Sequence, residues 1–275
     1  MLASERRLWW ALGAAFQVFA IAAYLNVAPT RTPPFEAWGI ALAGRPRLRE
    51  LRDLATANEP RLALLTGRRR IGKTYLLLST WDERRAFVFT AARTSPELNR
   101  QQLLADLVRW SGEPIDPDDH PTWRSVFNLL LDLRVPEPLV VVLDEFQYLA
   151  DDERGLASVA SELNAAWERR RPQRSFLMVL AGSVVHTMEA LAGGGAPLYG
   201  RFHWRHRLEP FDYFDTAEMV PFATPRERLE TYATFGGVPR YLAAIDTSRT
   251  LAENIAELSL SPRGEVRQLV ETAVE

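Results

Sequence analysis

Apolar residues along this chain fall into short unbroken runs, separated by stretches in which they recur every three or four positions. The unbroken runs cover residues 62–66, 86–90, 138–143 and 175–181, and Arg207-Leu-Glu-Pro-Phe211, though interrupted by charge, reads as a last strand. Runs of this length, bounded by turn residues and rich in β-branched and aromatic side chains, read as strands. The third is apolar throughout and ends in Asp144-Glu145, the pattern of a buried parallel strand with function at its C-terminal end. Helical spacing fills the intervals. Leu48, Leu51, Leu54 and Ala55 mark an amphipathic helix, and residues 75–81 read as another. Ser95 caps a helix with Pro96 in its first turn and Gly112 at its end; helices are also predicted at 122–133, 154–171 and 184–191. From Pro225 onward no strand-like run occurs. Helices are expected at 226–235, 240–245, 250–260 and 263–274, with Gly236-Gly237-Val238-Pro239 as a break, which together read as a small helical lid.

The N-terminus follows a different pattern. Glu5-Arg6-Arg7 precedes an 18-residue run, Leu8 to Leu25, whose one clearly polar member is Gln17. Pro29, Pro33 and Pro34 then mark a linker. Three readings of the run stay open: a membrane anchor with a cytoplasmic N-terminus, an apolar helix packed on the domain or a partner, or an extension foreign to the native protein. The expected organisation is an apolar helix and linker over 1–34, a core over 35–222 and the lid over 223–275.

A chain of 275 residues can bury a substantial core. The absence of Cys removes disulfides and thiolate metal sites and agrees with a cytoplasmic location. A net charge of −2 gives no global attraction to nucleic acid or anionic membrane. The four His show no H-E-x-x-H spacing.

The chemistry is concentrated after the first strand. Gly67-Arg68-Arg69-Arg70-Ile71-Gly72-Lys73-Thr74, followed by Tyr75 at the start of a helix, matches the G-x-x-x-x-G-K-[ST] phosphate loop in its strand–loop–helix context. The glycines let the backbone N–H groups converge on phosphate oxygens, and the helix N-terminus aims its donors at the same anion. Lys73 would neutralise the β- and γ-phosphates, and Thr74 would bind Mg2+. Of 33 basic residues, one is lysine, and it is Lys73. A compact ammonium fits a phosphate cradle where a wide guanidinium fork does not. Asp144 is then the expected partner of Thr74 at the metal, and Glu145 the general base that polarises water; the plain alternative is a strand-to-helix turn with Asp144 as N-cap. Ser183, after the fourth strand, reads equally as a sensor of water or phosphate or as a helix cap. Arg201 is a candidate contact to a γ-phosphate, in its own subunit or a neighbour.

The ordered set of Gly67–Thr74, Leu143-Asp-Glu-Phe-Gln-Tyr-Leu149, Leu180-Ala-Gly-Ser183, Leu198-Tyr-Gly-Arg201 and Gly236-Gly-Val-Pro-Arg-Tyr-Leu242 resembles the prokaryotic ATPase-domain family within the AAA+/STAND P-loop NTPases. The resemblance covers roughly residues 40–275. It implies an α/β fold with a five-stranded parallel sheet between helices, followed by a helical lid, and ATP as the nucleotide. It places Ser183 at a sensor position and Arg240 at a lid position that reports nucleotide state. Gly44-Arg45 resembles the family's leading Gly-Arg-Glu, with Pro46 in place of the acid. Family members usually continue into an effector domain, so the resemblance implies either a truncated gene product or an output partner supplied as a separate chain. The expected function is Mg2+-dependent ATP binding and hydrolysis as a nucleotide switch, in an oligomer or alone. The alternatives are a non-hydrolysing signalling scaffold, a DNA-associated remodelling ATPase suggested by Arg68–Arg70 and Arg169–Arg171, and a small-molecule phosphotransferase.

Overall fold

The computed structural model describes residues 46–81, 85–135, 138–170, 174–220, 222 and 224–274. The apolar run at 8–25, its linker and the Gly44-Arg45 pair lie outside the described residues. The chain divides into two compact units, with the division after Glu209.

The first unit is built on five parallel strands: β1 (Pro60–Thr66), β2 (Ala86–Thr90), β3 (Leu139–Asp144), β4 (Phe176–Gly182) and β5 (Trp204–Arg207). Their order across the sheet is β2-β3-β4-β1-β5. Its helices are α1 (Pro46–Ala55), α2 (Lys73–Thr80), α3 (Pro96–Ser111), α4 (Trp123–Asp132), α5 (Glu153–Arg170) and α6 (Val185–Ala190). The central strands β3 and β4 are buried along their whole length, which is why they read as continuous apolar runs rather than alternating ones. One sheet face presents Leu62, Leu64, Phe87, Phe89, Val141, Leu143, Met178 and Leu180 to Leu103, Leu107, Phe127, Leu130, Leu156 and Leu163 of α3, α4 and α5. On the other, α1 packs against β4 and α2, burying Leu51 and Ala55. The result is a three-layer α/β/α sandwich, as the resemblance implies.

Local signals account for the element ends. Ser95 accepts from the Leu98 N–H, Pro96 opens α3, and Gly112 closes it at φ 74° with its N–H on the Val108 carbonyl. Thr122 and Ser125 form a reciprocal capping box on α4. The fifth strand differs from expectation. It lies at Trp204–Arg207, whereas Leu208 to Phe211 is irregular. An edge strand with alternating exposed residues carries little apolar signal, and the buried Leu208 and Phe211 drew the assignment past its end.

The second described unit begins at Pro210, before the expected 223. It contains α7 (Tyr213–Met219), which the hydrophobic pattern did not indicate, then α8 (Pro225–Phe235), α9 (Pro239–Leu242), α10 (Leu251–Ile255), a π-helical turn (Ala256–Leu260) and α11 (Glu265–Val274). Asp212 and Asp215 cap α7 reciprocally. Among the described residues, no helix is long and apolar enough to cross a membrane.

Candidate active site

Parallel pairing brings the chemistry-bearing residues to one edge of the sheet. Thr66, the last residue of β1, pairs with Gly182 of β4, and Leu143 of β3 pairs with Leu180. The loop after β1, the acids ending β3 and Ser183 after β4 therefore share the C-terminal edge, where open α/β sheets place their ligand sites.

The loop closes tightly. A side chain at Gly67 would put its Cβ 2.8 Å from the Leu208 carbonyl oxygen, and Gly72 turns into α2 at φ 92°. Arg70 also takes a left-handed conformation, at φ 69°. Ile71 is buried beneath the loop, whereas Arg68 and Arg69 are exposed. The Arg69 guanidinium donates to the Tyr148 hydroxyl, tying the loop to the turn after β3. Tyr75 is half-buried on the first turn of α2.

Lys73 is 5% exposed. Its ammonium donates to the carbonyls of Gly67 at 2.8 Å and Arg68 at 3.1 Å. Burial pulls its pKa below the ordinary lysine value, against the opposing pull of Glu145 and Asp144, with Arg69 adding to the lowering. Asp144 is fully buried, and both of its oxygens are engaged. Oδ2 accepts from the Thr74 hydroxyl at 2.6 Å, and Oδ1 accepts from the Glu145 backbone N–H at 2.9 Å. Burial pushes its carboxyl above the ordinary range; the Thr74 bond opposes this and the neighbouring Glu145 charge adds to it.

Glu145 sits at φ 54°, a left-handed conformation that costs a non-glycine residue roughly 1–2 kcal/mol. Its side chain is buried, and its Oε2 accepts from the Ser183 hydroxyl at 2.6 Å and from the Gln147 amide. Neither capping alternative describes these residues. The short 3-10 turn Phe146–Leu149 has no side-chain cap, and Val184, not Ser183, stands at the start of α6.

The fold thus gathers Gly67, Gly72, Lys73, Thr74, Asp144, Glu145 and Ser183. Arg201 is engaged elsewhere: its guanidinium donates to Asn164 at 3.0 Å and pairs with Glu168 at 2.7 Å, both on α5. Arg240 lies in the second unit, buried and paired with Glu265. Sequence reasoning passed over Gln147; the signal was a lone amide inside Phe146-Gln-Tyr-Leu149, directly after the acid pair. A groove of about 400 Å3 lined by Thr90, Thr94, Leu98, Asn99 and Gln102 contains none of these residues.

No family model matches the chain. A curated relative, an uncharacterized protein of Methanocaldococcus jannaschii, is 26% identical over 198 residues, which is 72% of this chain and 42% of that protein. The chain therefore spans about two fifths of the length of the relative it matches. Among solved structures, a Walker-type ATPase of Pyrococcus abyssi superposes with a TM-score of 0.55 at 21% identity, covering 82% of this chain and 75% of that one. The ORC2 protein of Aeropyrum pernix, solved as ADPNP–ADP complexes, gives a TM-score of 0.53 at 17% identity over 89% of this chain and 70% of its own. At these identities the likeness is one of fold: the chain has the three-layer fold of P-loop ATPases.

Proposed function

We propose that this chain is an Mg2+-dependent ATPase that works as a nucleotide-driven switch. The observation that carries the reading is the 2.6 Å hydrogen bond from Thr74 to Asp144, which joins the phosphate loop to the acid-bearing end of β3. The N–H groups of residues 67–74 would hold the phosphates, and Lys73 would exchange the Gly67 and Arg68 carbonyls for phosphate oxygens. The hydroxyl of Thr74 and the carboxylate of Asp144 are hard oxygen donors of the kind Mg2+ takes, together with phosphate oxygens and water. When bound, the ion supplies neutralisation of phosphate charge.

In the step we assign, a water oxygen forms a bond to the γ-phosphorus and the bridging bond to the β-phosphate oxygen breaks. ADP leaves with the electron pair, and the water proton passes to the Glu145 carboxylate and then to solvent. Lys73 stabilises the charge on the γ-phosphoryl oxygens. Ser183 touches Glu145 and is placed to register whether the base is engaged. Arg240 is the residue through which the helical unit would report nucleotide state.

Steady-state and single-turnover assays with labelled ATP test this. Lys73→Ala abolishes tight ATP binding. Glu145→Gln retains ATP and loses turnover. If Glu145→Gln hydrolyses ATP at the parent rate, the assigned base is wrong; if the parent binds ATP without turning it over, the chain is a nucleotide-binding scaffold.

A further inference from the structure

Glu145 is held at one oxygen by two donors from different parts of the fold. The Ser183 hydroxyl donates to Oε2 at 2.6 Å, and the Gln147 Nε2 donates to the same oxygen. The Gln147 Nε2 also donates to the Ser183 hydroxyl oxygen at 3.2 Å, which closes a three-membered ring of side chains. A carboxylate can only accept, so the donor end of the amide must face it. Gln147 is 9% exposed, and its Oε1 has no hydrogen-bond partner among the described residues. That oxygen lies over Gly182: a Cβ there would be 2.3 Å from it and 2.5 Å from Met188 Cγ. The glycine that ends β4 is therefore the space into which the amide fits.

From this geometry we infer that Gln147 is a positioning residue for hydrolysis: with Ser183 it anchors Glu145 through Oε2 and leaves Oε1 to face the attacking water. The inference rests on the proposed ATPase reading. Two observations favour anchoring over simple packing. A long polar side chain is buried with half of its hydrogen-bonding capacity unmet, a cost that an apolar residue of the same size avoids. In addition, both available donors converge on the same carboxylate oxygen, so the Glu145 rotamer is fixed while its other oxygen accepts no hydrogen bond among the described residues. A general base must sit within hydrogen-bond reach of the proton it removes, and a displacement of about 1 Å can cost on the order of a hundredfold in rate.

The test is a comparison of kcat and KM for ATP in the full chain with Mg2+. Gln147→Met keeps the volume and removes the donor. It lowers kcat by about tenfold to a hundredfold, the rate equivalent of one lost hydrogen bond to a charged group, while KM and the affinity for a non-hydrolysable ATP analogue stay within about twofold. Ser183→Ala shows the same split, and the double variant loses less than the product of the single losses because both act through one oxygen. Gln147→Asn, which withdraws the amide by one methylene and leaves Gly182 and Met188 unchanged, gives a third route if Gln147→Met fails to fold. Turnover of Gln147→Met within twofold of the parent, or losses of affinity as large as the losses of kcat, overturn the inference. Glu145→Gln separates the two levels. If it stops turnover while Gln147→Met and Ser183→Ala do not slow it, positioning is wrong and the base stands; if Glu145→Gln is fully active, the base itself is wrong.

Discussion

The Thr74 hydroxyl donates to Asp144 Oδ2 at 2.6 Å across 70 positions of sequence. One residue opens the helix after the phosphate loop, and the other ends the central strand β3. The bond joins the glycine-rich loop to the acid that ends β3, and the proposed metal site rests on that pairing. Thr74→Ser keeps the hydroxyl and should bind ATP within a few-fold of the parent in Mg2+. Thr74→Ala leaves Asp144 short of its strongest hydrogen-bond donor and should lose Mg2+-dependent affinity by about tenfold or more, as expected for a hydrogen bond to a charged group. Titration calorimetry with ATP, with and without Mg2+, reads both. Equal affinity of Thr74→Ala and the parent in Mg2+ would remove this residue from the metal site.

Burial of Asp144 makes a prediction about stability. Its carboxyl titrates above the ordinary value of 3.8 in the fold because burial disfavours the charge. Between 3.8 and the raised value, the folded chain holds a proton that the unfolded chain has released. The unfolded state then binds fewer protons, so this residue makes stability fall as pH rises through that window. Asp144→Asn removes the slope. In the nucleotide-free protein with chelator present, the variant should gain melting temperature relative to the parent as the pH is raised from about 4 to about 7; a gain of 1 kcal/mol reads as about 2–4 °C in a domain of this size. The same variant should lose ATP turnover, the exchange of activity for stability common at charged buried sites. Parallel pH profiles for parent and variant would show that the buried carboxylate carries no such cost.

Within the helical unit the backbone makes its tightest glycine contact at Gly237. Its carbonyl accepts from the Phe211 N–H at 2.7 Å, and a Cβ at this position would lie 1.7 Å from the Phe211 carbonyl oxygen. Backbone cannot yield as a side-chain tip can, so Gly237→Ala should destabilise by at least about 1–3 kcal/mol. Gly236 stands next to it with a different role. It closes α8 at φ 64° and ψ −161° with open space around it, so an alanine there meets no steric clash and only the backbone penalty of an essentially glycine-only region, about 1–3 kcal/mol. Gly194, with open space and no positive φ, is the neutral control. Thermal melts of the three variants should rank Gly237→Ala below Gly236→Ala and both below Gly194→Ala.

Much of this was legible in the chain because the deciding signals were local. The bounds of β2 and the caps of α3 at Ser95 and Gly112 follow from residues within a few positions of each other. The phosphate loop and the Asp144-Glu145 pair likewise carry their context with them. What escaped depended on distant partners. In β5 the segment Trp204–Arg207 is a strand because it pairs with Ala63 to Thr66; its own composition is Trp, Arg and His. His203, just before it, uses its ring Nδ1 to accept the Leu62 N–H, a contact that no spacing rule anticipates. Gln147 is buried because Gly182, 35 positions on, leaves room for it. The helix α7 is short, and its capping pair Asp212 and Asp215 was the available signal.

Arg201 tests whether the site is complete within one chain. Its guanidinium is held by Asn164 and Glu168, and the Arg201 and Glu168 side chains are 40% and 52% exposed. An exposed ion pair of this kind is worth roughly 0–1 kcal/mol, so Arg201→Ala should leave the melting temperature nearly unchanged. If the arginine serves only this pair, kcat will be unchanged as well. If it reaches a γ-phosphate in a neighbouring copy, Arg201→Ala will lose turnover while still binding ATP. Mixing then distinguishes the arrangements. Lys73→Ala lacks nucleotide binding but retains Arg201, and Arg201→Ala retains the phosphate loop. When the two inactive variants are combined, turnover should reappear, because a guanidinium on one chain can serve the nucleotide on the other. Recovery on mixing would establish that catalysis needs two copies; a fully active Arg201→Ala would restrict the residue to anchoring α5.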